Sequence, residues 1–165
     1  MVRISAVHDV SDDLMKAVQI LLPQLSTSAG ALSRGDVEDI VSSPATTLLV
    51  ARDDILEETD GVAGQIASAD AEEPDGPIIG MLTLVTFRLP TGVRARIEDV
   101  VVDSAARGRG VASELTRVAL EIAAARGART VDLTSRPSRE AANRLYQHLG
   151  FEERETIVYR FPLPT

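Results

Sequence analysis

Cysteine is absent from all 165 residues, and that single absence removes several function classes. It excludes a disulfide framework, a thiolate metal site, a cysteine nucleophile and any acyl-enzyme built on one. Histidine is scarce: His8 and His148 lie far apart, with no ligand spacing to each other or to a carboxylate cluster, so no metal site is expected. No apolar run approaches the roughly 20 residues of a membrane span. The opening Met1-Val2-Arg3-Ile4 lacks the basic-then-apolar layout of a signal peptide, which makes a cytoplasmic location the expectation. Between Asp53 and Asp75 there is no lysine or arginine, while that stretch carries nine acids. The net charge is −8; taking those nine acids away turns it to +1 for the rest. The acidic balance argues against nucleic acid as a partner, yet the remainder of the chain can still host an anion.

What is present reads as one globular domain spanning 1–165, without repeats or linkers, and with an acidic, flexible loop at 53–77. Arg3 to Val10 is a first strand. Ser11 is a good N-cap, followed by Asp12 and Asp13 where they complement the helix dipole, and Leu14, Val18, Leu21 and Leu25 recur at helical spacing. Pro23 predicts an early end to that helix. Ser33 with Asp36 forms a capping-box pattern ahead of a short second helix. Strands follow at 45–51, at Ile78 to Leu89 and at Arg96 to Asp103, with a turn at Pro90-Thr91-Gly92. A helix from Gly108 to Arg126 shows Val111, Leu115, Val118 and Ile122 on one face and ends at Gly127. A strand at Thr130 to Thr134, a last helix capped by Ser138 with Ala142, Leu145, Tyr146 and Leu149 inward, and a closing pair of strands at 151–155 and 156–161 complete the chain. The fold class is a mixed α/β (α+β) sheet domain.

The segment with the most chemical content joins the Val100-Val101-Val102 strand to the following helix through Arg107-Gly108-Arg109-Gly110-Val111-Ala112-Ser113. A helix N-terminus presents unpaired N–H groups and partial positive charge; glycines let backbone approach a ligand, and Arg107 and Arg109 add charge. That combination is an anion cradle. It is not a P-loop, because Gly110 is followed by Val111-Ala112-Ser113 instead of Gly-Lys-Ser/Thr, and its spacing does not suit a dinucleotide fold.

At Arg107, Gly110 and Ala112 the chain resembles the GCN5-related N-acetyltransferase (GNAT) family, which carries Arg/Gln-x-x-Gly-x-Gly/Ala between its fourth strand and third helix. The resemblance extends to Leu145-Tyr146-Gln147-His148-Leu149-Gly150-Phe151, similar to the family's Leu-Tyr-x-x-x-Gly-Phe. It covers Ile78 to Phe161 and, before that, only the order of elements. It implies a mostly antiparallel sheet of six to seven strands flanked by about four helices, and acetyl-CoA as co-substrate. By the same resemblance Val100, Val101 and Val102 would pair through backbone with the pantetheine arm. The amides of Arg107, Gly108, Arg109, Gly110, Val111, Ala112 and Ser113 would hold the pyrophosphate, and Tyr146 would protonate the departing thiolate. Many members have an asparagine at the position of Arg139; here Asn143 lies a turn later, so Arg139 and Asn143 are both cofactor candidates.

Glu98 is the candidate base for the incoming amine, sharing a strand face with Arg96 and Val100; the alternative is a salt bridge to Arg94 or Arg96. Asp99 points to the other face. Tyr146 can equally be a packed core aromatic. Two functions follow: direct acetyl transfer to a primary amine of a small molecule, peptide or protein, or a non-catalytic acyl-CoA-binding regulatory module. An anion site for some other nucleotide is a third. The acceptor and the oligomeric state stay open, a homodimer paired through the C-terminal strands being one arrangement that fits.

Overall fold

A computed structural model describes residues 1–26, 28–53 and 76–163. The chain forms two compact units, 1–134 and 135–165. The first is built on a five-stranded sheet in the order β1-β2-β3-β4-β5, with β1 Val2–Ala6, β2 Thr46–Asp53, β3 Ile78–Leu89, β4 Gly92–Val102 and β5 Val131–Asp132. Neighbours are antiparallel except β4 and β5, which are parallel. The helices of this unit are α1 Asp12–Leu25, α2 Arg34–Ser42 and α3 Val111–Ala125.

Local chemistry sets most boundaries. Ser11 caps α1 by accepting the Leu14 N–H at 3.1 Å, and Ser33 with Asp36 closes the expected capping box. β3 has the bounds that its branched and apolar residues predict. α1 departs from expectation by running through Pro23. Only Gln24 and Leu25 of the helix lie beyond the proline. Pro23 has no N–H to give to Gln19 O, but past it the Gln24 side chain donates to Ile20 O at 3.2 Å and the Ser26 N–H reaches Leu22 O at 3.0 Å, closing the helix end.

The two sheet faces bury different sets. One carries Leu48, Val50, Met81 and Val101 against Leu14, Val18 and Leu21 of α1 and Val37 of α2. On the other, α3 packs against β3 and β4 with Val111, Leu115, Ala119 and Ala123 buried, together with Thr116, whose hydroxyl is satisfied by Ala112 O at 2.7 Å. Sequence spacing had placed Val118 and Ile122 on this face; they are only half-buried. The alanines allow a close seat. A Cβ at Gly80 would lie 3.1 Å from Val111 Cγ1 and 3.2 Å from Val101 O. Burying Leu82, Leu84 and Leu115 completely contributes about 1.5–3 kcal/mol apiece.

The second unit holds α4 Glu140–His148. Arg139, not Ser138, occupies its N-cap position, with no side-chain cap. Residues 151–163 form no strand, so among the described residues the sheet has five strands and not six to seven. Branched and aromatic side chains at 157–161 favour extended backbone, but a strand also needs an edge to bond to. Glu152 to Glu155 stay exposed, and Thr156 N–H turns back to Arg154 O at 2.9 Å. The acidic loop expected at 53–77 lies, apart from Asp53, Gly76 and Pro77, outside the described residues. Among those described, no helix is long and apolar enough to cross a membrane.

Candidate active site

β4 is irregular where the sequence singled it out. Thr83 pairs with Glu98 and Met81 with Val101, so Asp99 and Val100 together face Leu82: a β-bulge. Asp99 takes the left-handed conformation, φ +53°, which costs a residue with a Cβ about 1–2 kcal/mol. The extra residue changes which side chains share a face. Arg94, Arg96 and Glu98 alternate on one side and the next residue there is Val101, buried under α1, not Val100 as strict alternation predicts. Asp99 is exposed, and its carboxyl is pushed up from the ordinary range, first by burial of the carboxyl among neighbouring atoms and then by the Glu98 charge.

Glu98 is ion-paired: Arg96 Nε donates to its carboxylate, and Arg96 Nη2 reaches Thr134 Oγ1 at 3.5 Å. Of the two partners weighed from sequence, Arg96 is the one used. Arg94 makes no ion pair among the described residues, and its Nη1 is buried without a hydrogen-bond partner. β5 pairs with β4 only at Ala95 and Arg96. From Ile97 to Val102 the outer edge of β4 therefore has no strand beside it among the described residues, which includes Val100, Val101 and Val102.

That edge leads into the cradle. Asp103 caps a short 3-10 turn by accepting the Ala105 N–H at 2.8 Å, and Ser104 N–H donates to Gln24 Oε1 at 2.9 Å, tying the turn to the end of α1. Gly108 (φ +78°) and Gly110 (φ +80°) then adopt a backbone that disfavours any side chain, and a Cβ at either would meet nothing within 4 Å. Gly110 is the N-cap of α3 and offers no side-chain cap. The first N–H to find a helix partner is that of Glu114, to Gly110 O at 3.1 Å; those of Val111, Ala112 and Ser113 precede it. The two arginines differ. Arg109 is held in a fork by Asp53 at the end of β2, at 2.8 and 2.6 Å, and the bond from Arg109 keeps the Asp53 carboxyl below its ordinary range. Arg107 is exposed and has no partner among the described residues.

In the second unit Tyr146 lies on the half-buried side of α4 with Ala142, Leu145 and Leu149. Its ring meets Phe151 edge-on, centroids 5.7 Å apart, and burial pushes its hydroxyl's pKa up against an opposing contribution from Arg139. Asn143 donates to Arg136 O at 3.1 Å, so its amide closes the turn before α4. The described residues contain no cluster of three metal-ligating side chains. Sequence reading missed the bulge, the Asp53–Arg109 fork and the Gln24 bridge. Only the bulge had a local sign, since aspartate fits poorly in a strand of valines.

Residues 31–151 match the acetyltransferase (GNAT) family. An uncharacterized N-acetyltransferase of Methanocaldococcus jannaschii is 40% identical over 63 residues, a match that covers 38% of this chain and 28% of that relative's length. A solved acetyltransferase of Trypanosoma brucei superposes with a TM-score of 0.71 at 22% identity, covering 99% of this chain and 100% of the other. An aminoglycoside N-acetyltransferase solved in complex with CoA superposes at 0.72 with 18% identity, covering 98% and 95%. At these identities the two structural likenesses establish the fold.

Proposed function

Because the chain belongs to the acetyltransferase (GNAT) family, we propose that it moves an acetyl group from acetyl-CoA directly to a primary amine. The observation that carries this reading is the continuity of two features: an edge of β4 with no strand beside it among the described residues leads, through one short 3-10 turn, to a helix start opened by two glycines. An extended, amide-bearing chain can add to such an edge as a strand would, and a pyrophosphate suits a helix N-terminus. The solved aminoglycoside enzyme with CoA has the same fold.

In this reading the backbone of Val100 to Val102 takes the pantetheine arm, and the amides from Gly108 to Ser113 take the pyrophosphate. Arg107 adds charge from the side. Acetyl-CoA supplies the activated acyl group. Glu98 accepts the amine's proton, directly or through water, which leaves the nitrogen lone pair free to attack. Its pairing with Arg96 fixes the carboxylate on the face that continues from the α1 core. Tyr146 returns a proton to the sulfur as the carbon–sulfur bond breaks. The phenol, whose pKa burial raises, is protonated at neutral pH, as an ordinary tyrosine is, and so has a proton to give. Arg139 is a further candidate for a phosphate contact; Asn143, already bonded to backbone, is the weaker one.

Calorimetric titration with acetyl-CoA tests the reading. Saturable binding that dephosphorylated or pantetheine-free fragments weaken is expected. No heat at millimolar cofactor would overturn it. Binding without CoA release across a broad amine panel would instead identify an acyl-CoA-binding module.

A further inference from the structure

We infer that the acceptor is an amine that also carries an anionic group, a carboxylate or a phosphate, and that Arg94 receives that group. The inference rests on the acetyl-transfer reading and narrows its second substrate.

Arg94, Arg96 and Glu98 lie at alternate positions of β4 on one sheet face, opposite Phe87, Val85 and Thr83 of β3. Helices α1 and α2 cover the continuation of this face at Val101 and Met81. The three charged residues differ in what they have. Glu98 and Arg96 satisfy each other, and Arg96 reaches Thr134 as well. Arg94 is half-buried, its Nη1 is fully buried, and no carboxylate, hydroxyl or carbonyl of the described chain accepts from it.

A guanidinium nitrogen removed from water without a partner is costly, and such a group in a folded protein calls for one. Its fork matches a carboxylate or phosphate in two parallel bonds. Four residues along a strand separate the backbones of Arg94 and Glu98 by about 13 Å, and their side chains can lean toward each other across that gap. An acceptor with its amine at Glu98 and its anion at Arg94 would give Arg94 the partner it lacks among the described residues. A simple alkylamine would leave Arg94 unmet, and a polyamine would set a second cation against it.

The test compares acceptors of one length that differ at one end: 6-aminohexanoate, 6-aminohexyl phosphate, hexylamine and 1,6-diaminohexane, read by CoA release. At least one of the two anionic amines should exceed both others in kcat/KM by about tenfold or more, the size of one charge-assisted bond. Whichever of them leads identifies the anion. Arg94→Gln should erase the preference through KM, with acetyl-CoA affinity unchanged; Arg94→Lys should restore part of it. Equal use of all four, a preference for the diamine, a preference that survives Arg94→Gln, or no turnover of any of them by a protein that binds acetyl-CoA would each overturn the inference. None of these outcomes touches the cofactor reading. Loss of acetyl-CoA binding itself would remove that reading instead.

Discussion

The cradle and the charged face of β4 belong to one unit and both present arginines, yet they are built on opposite principles. In the cradle the surface on offer is backbone: the N–H groups that precede the first helix bond of α3, opened by two glycines that hold positive φ. Its arginines are exposed, and one is already joined to Asp53. On β4 the surface is side chain: a paired Glu98, a half-buried Arg94 that has no partner among the described residues, and a bulge that turns the strand beside them. Backbone amides recognise any pyrophosphate, so the first region suits a common cofactor. Side chains at fixed registers discriminate, so the second suits the particular acceptor.

If that division holds, damage to the two regions separates into kcat and Kd. The largest effect is expected on β4. If Glu98 is the proton acceptor, Glu98→Gln should lower kcat by about 10²-fold, the lower end for a general base, while acetyl-CoA binds as before by calorimetry. An unchanged kcat would make Glu98 a salt-bridge residue only, and the comparison would lose its chemical half.

The next effect is in the cradle. Gly110→Ala places a Cβ on a left-handed residue, where space is open but the backbone is disfavoured. Stability should fall by about 1–2 kcal/mol in denaturant unfolding. Acetyl-CoA affinity should fall with it, because the first turn of α3 can no longer keep its orientation, while kcat at saturating cofactor changes little. Full affinity in this variant would show that the N–H groups are not the anion's partners.

These two positions also mark how far sequence alone reaches. Gly110 was legible because a glycine at a helix mouth has a local cause, and so were the caps at Ser11 and Ser33 and the bounds of β3. The face of Glu98 was not. Its neighbour past the bulge is Val101 because Asp99 and Val100 together oppose Leu82, and that register belongs to two strands. Likewise the Asp53–Arg109 fork joins residues 56 apart, a proximity that only the folded sheet creates. The strands expected at 151–161 failed for a related reason: propensity describes a segment, whereas a strand is a relation between segments.

A smaller effect sharpens the contrast between the two arginines of the cradle. Arg107→Gln should weaken acetyl-CoA binding several-fold, and added salt should shrink the difference, as for any exposed charge. Asp53→Asn should do the reverse, freeing the Arg109 fork and tightening binding within about fivefold. A loss of affinity would mean that Asp53 positions the loop. The pair also has a pH signature. Asp53 is held below its ordinary value, so its contribution to stability is complete above about pH 3.8 and fades only as pH falls through the depressed value. Wild type and Asp53→Asn should therefore differ by a constant amount at neutral pH and converge in acid.

The smallest expected effect is spectroscopic and concerns the second unit. The chain has two tyrosines, Tyr146 and Tyr159, so Tyr159→Phe leaves one phenol to titrate in the near ultraviolet. Burial raises the Tyr146 pKa and the Arg139 charge opposes it, which puts the midpoint above 10.0 and moves it higher still in Arg139→Gln. The raised value also has a consequence for folding. A group whose folded pKa exceeds its unfolded one contributes stability below the unfolded pKa, and that contribution is lost as pH rises through the folded value. Wild type should thus lose stability in alkali through a titration that Tyr146→Phe lacks. A midpoint at or below 10 would mean that the ring is solvated. The phenol would still be protonated at neutral pH, so the proton-donor reading would then rest on turnover alone, with Tyr146→Phe expected to lower kcat while acetyl-CoA still binds.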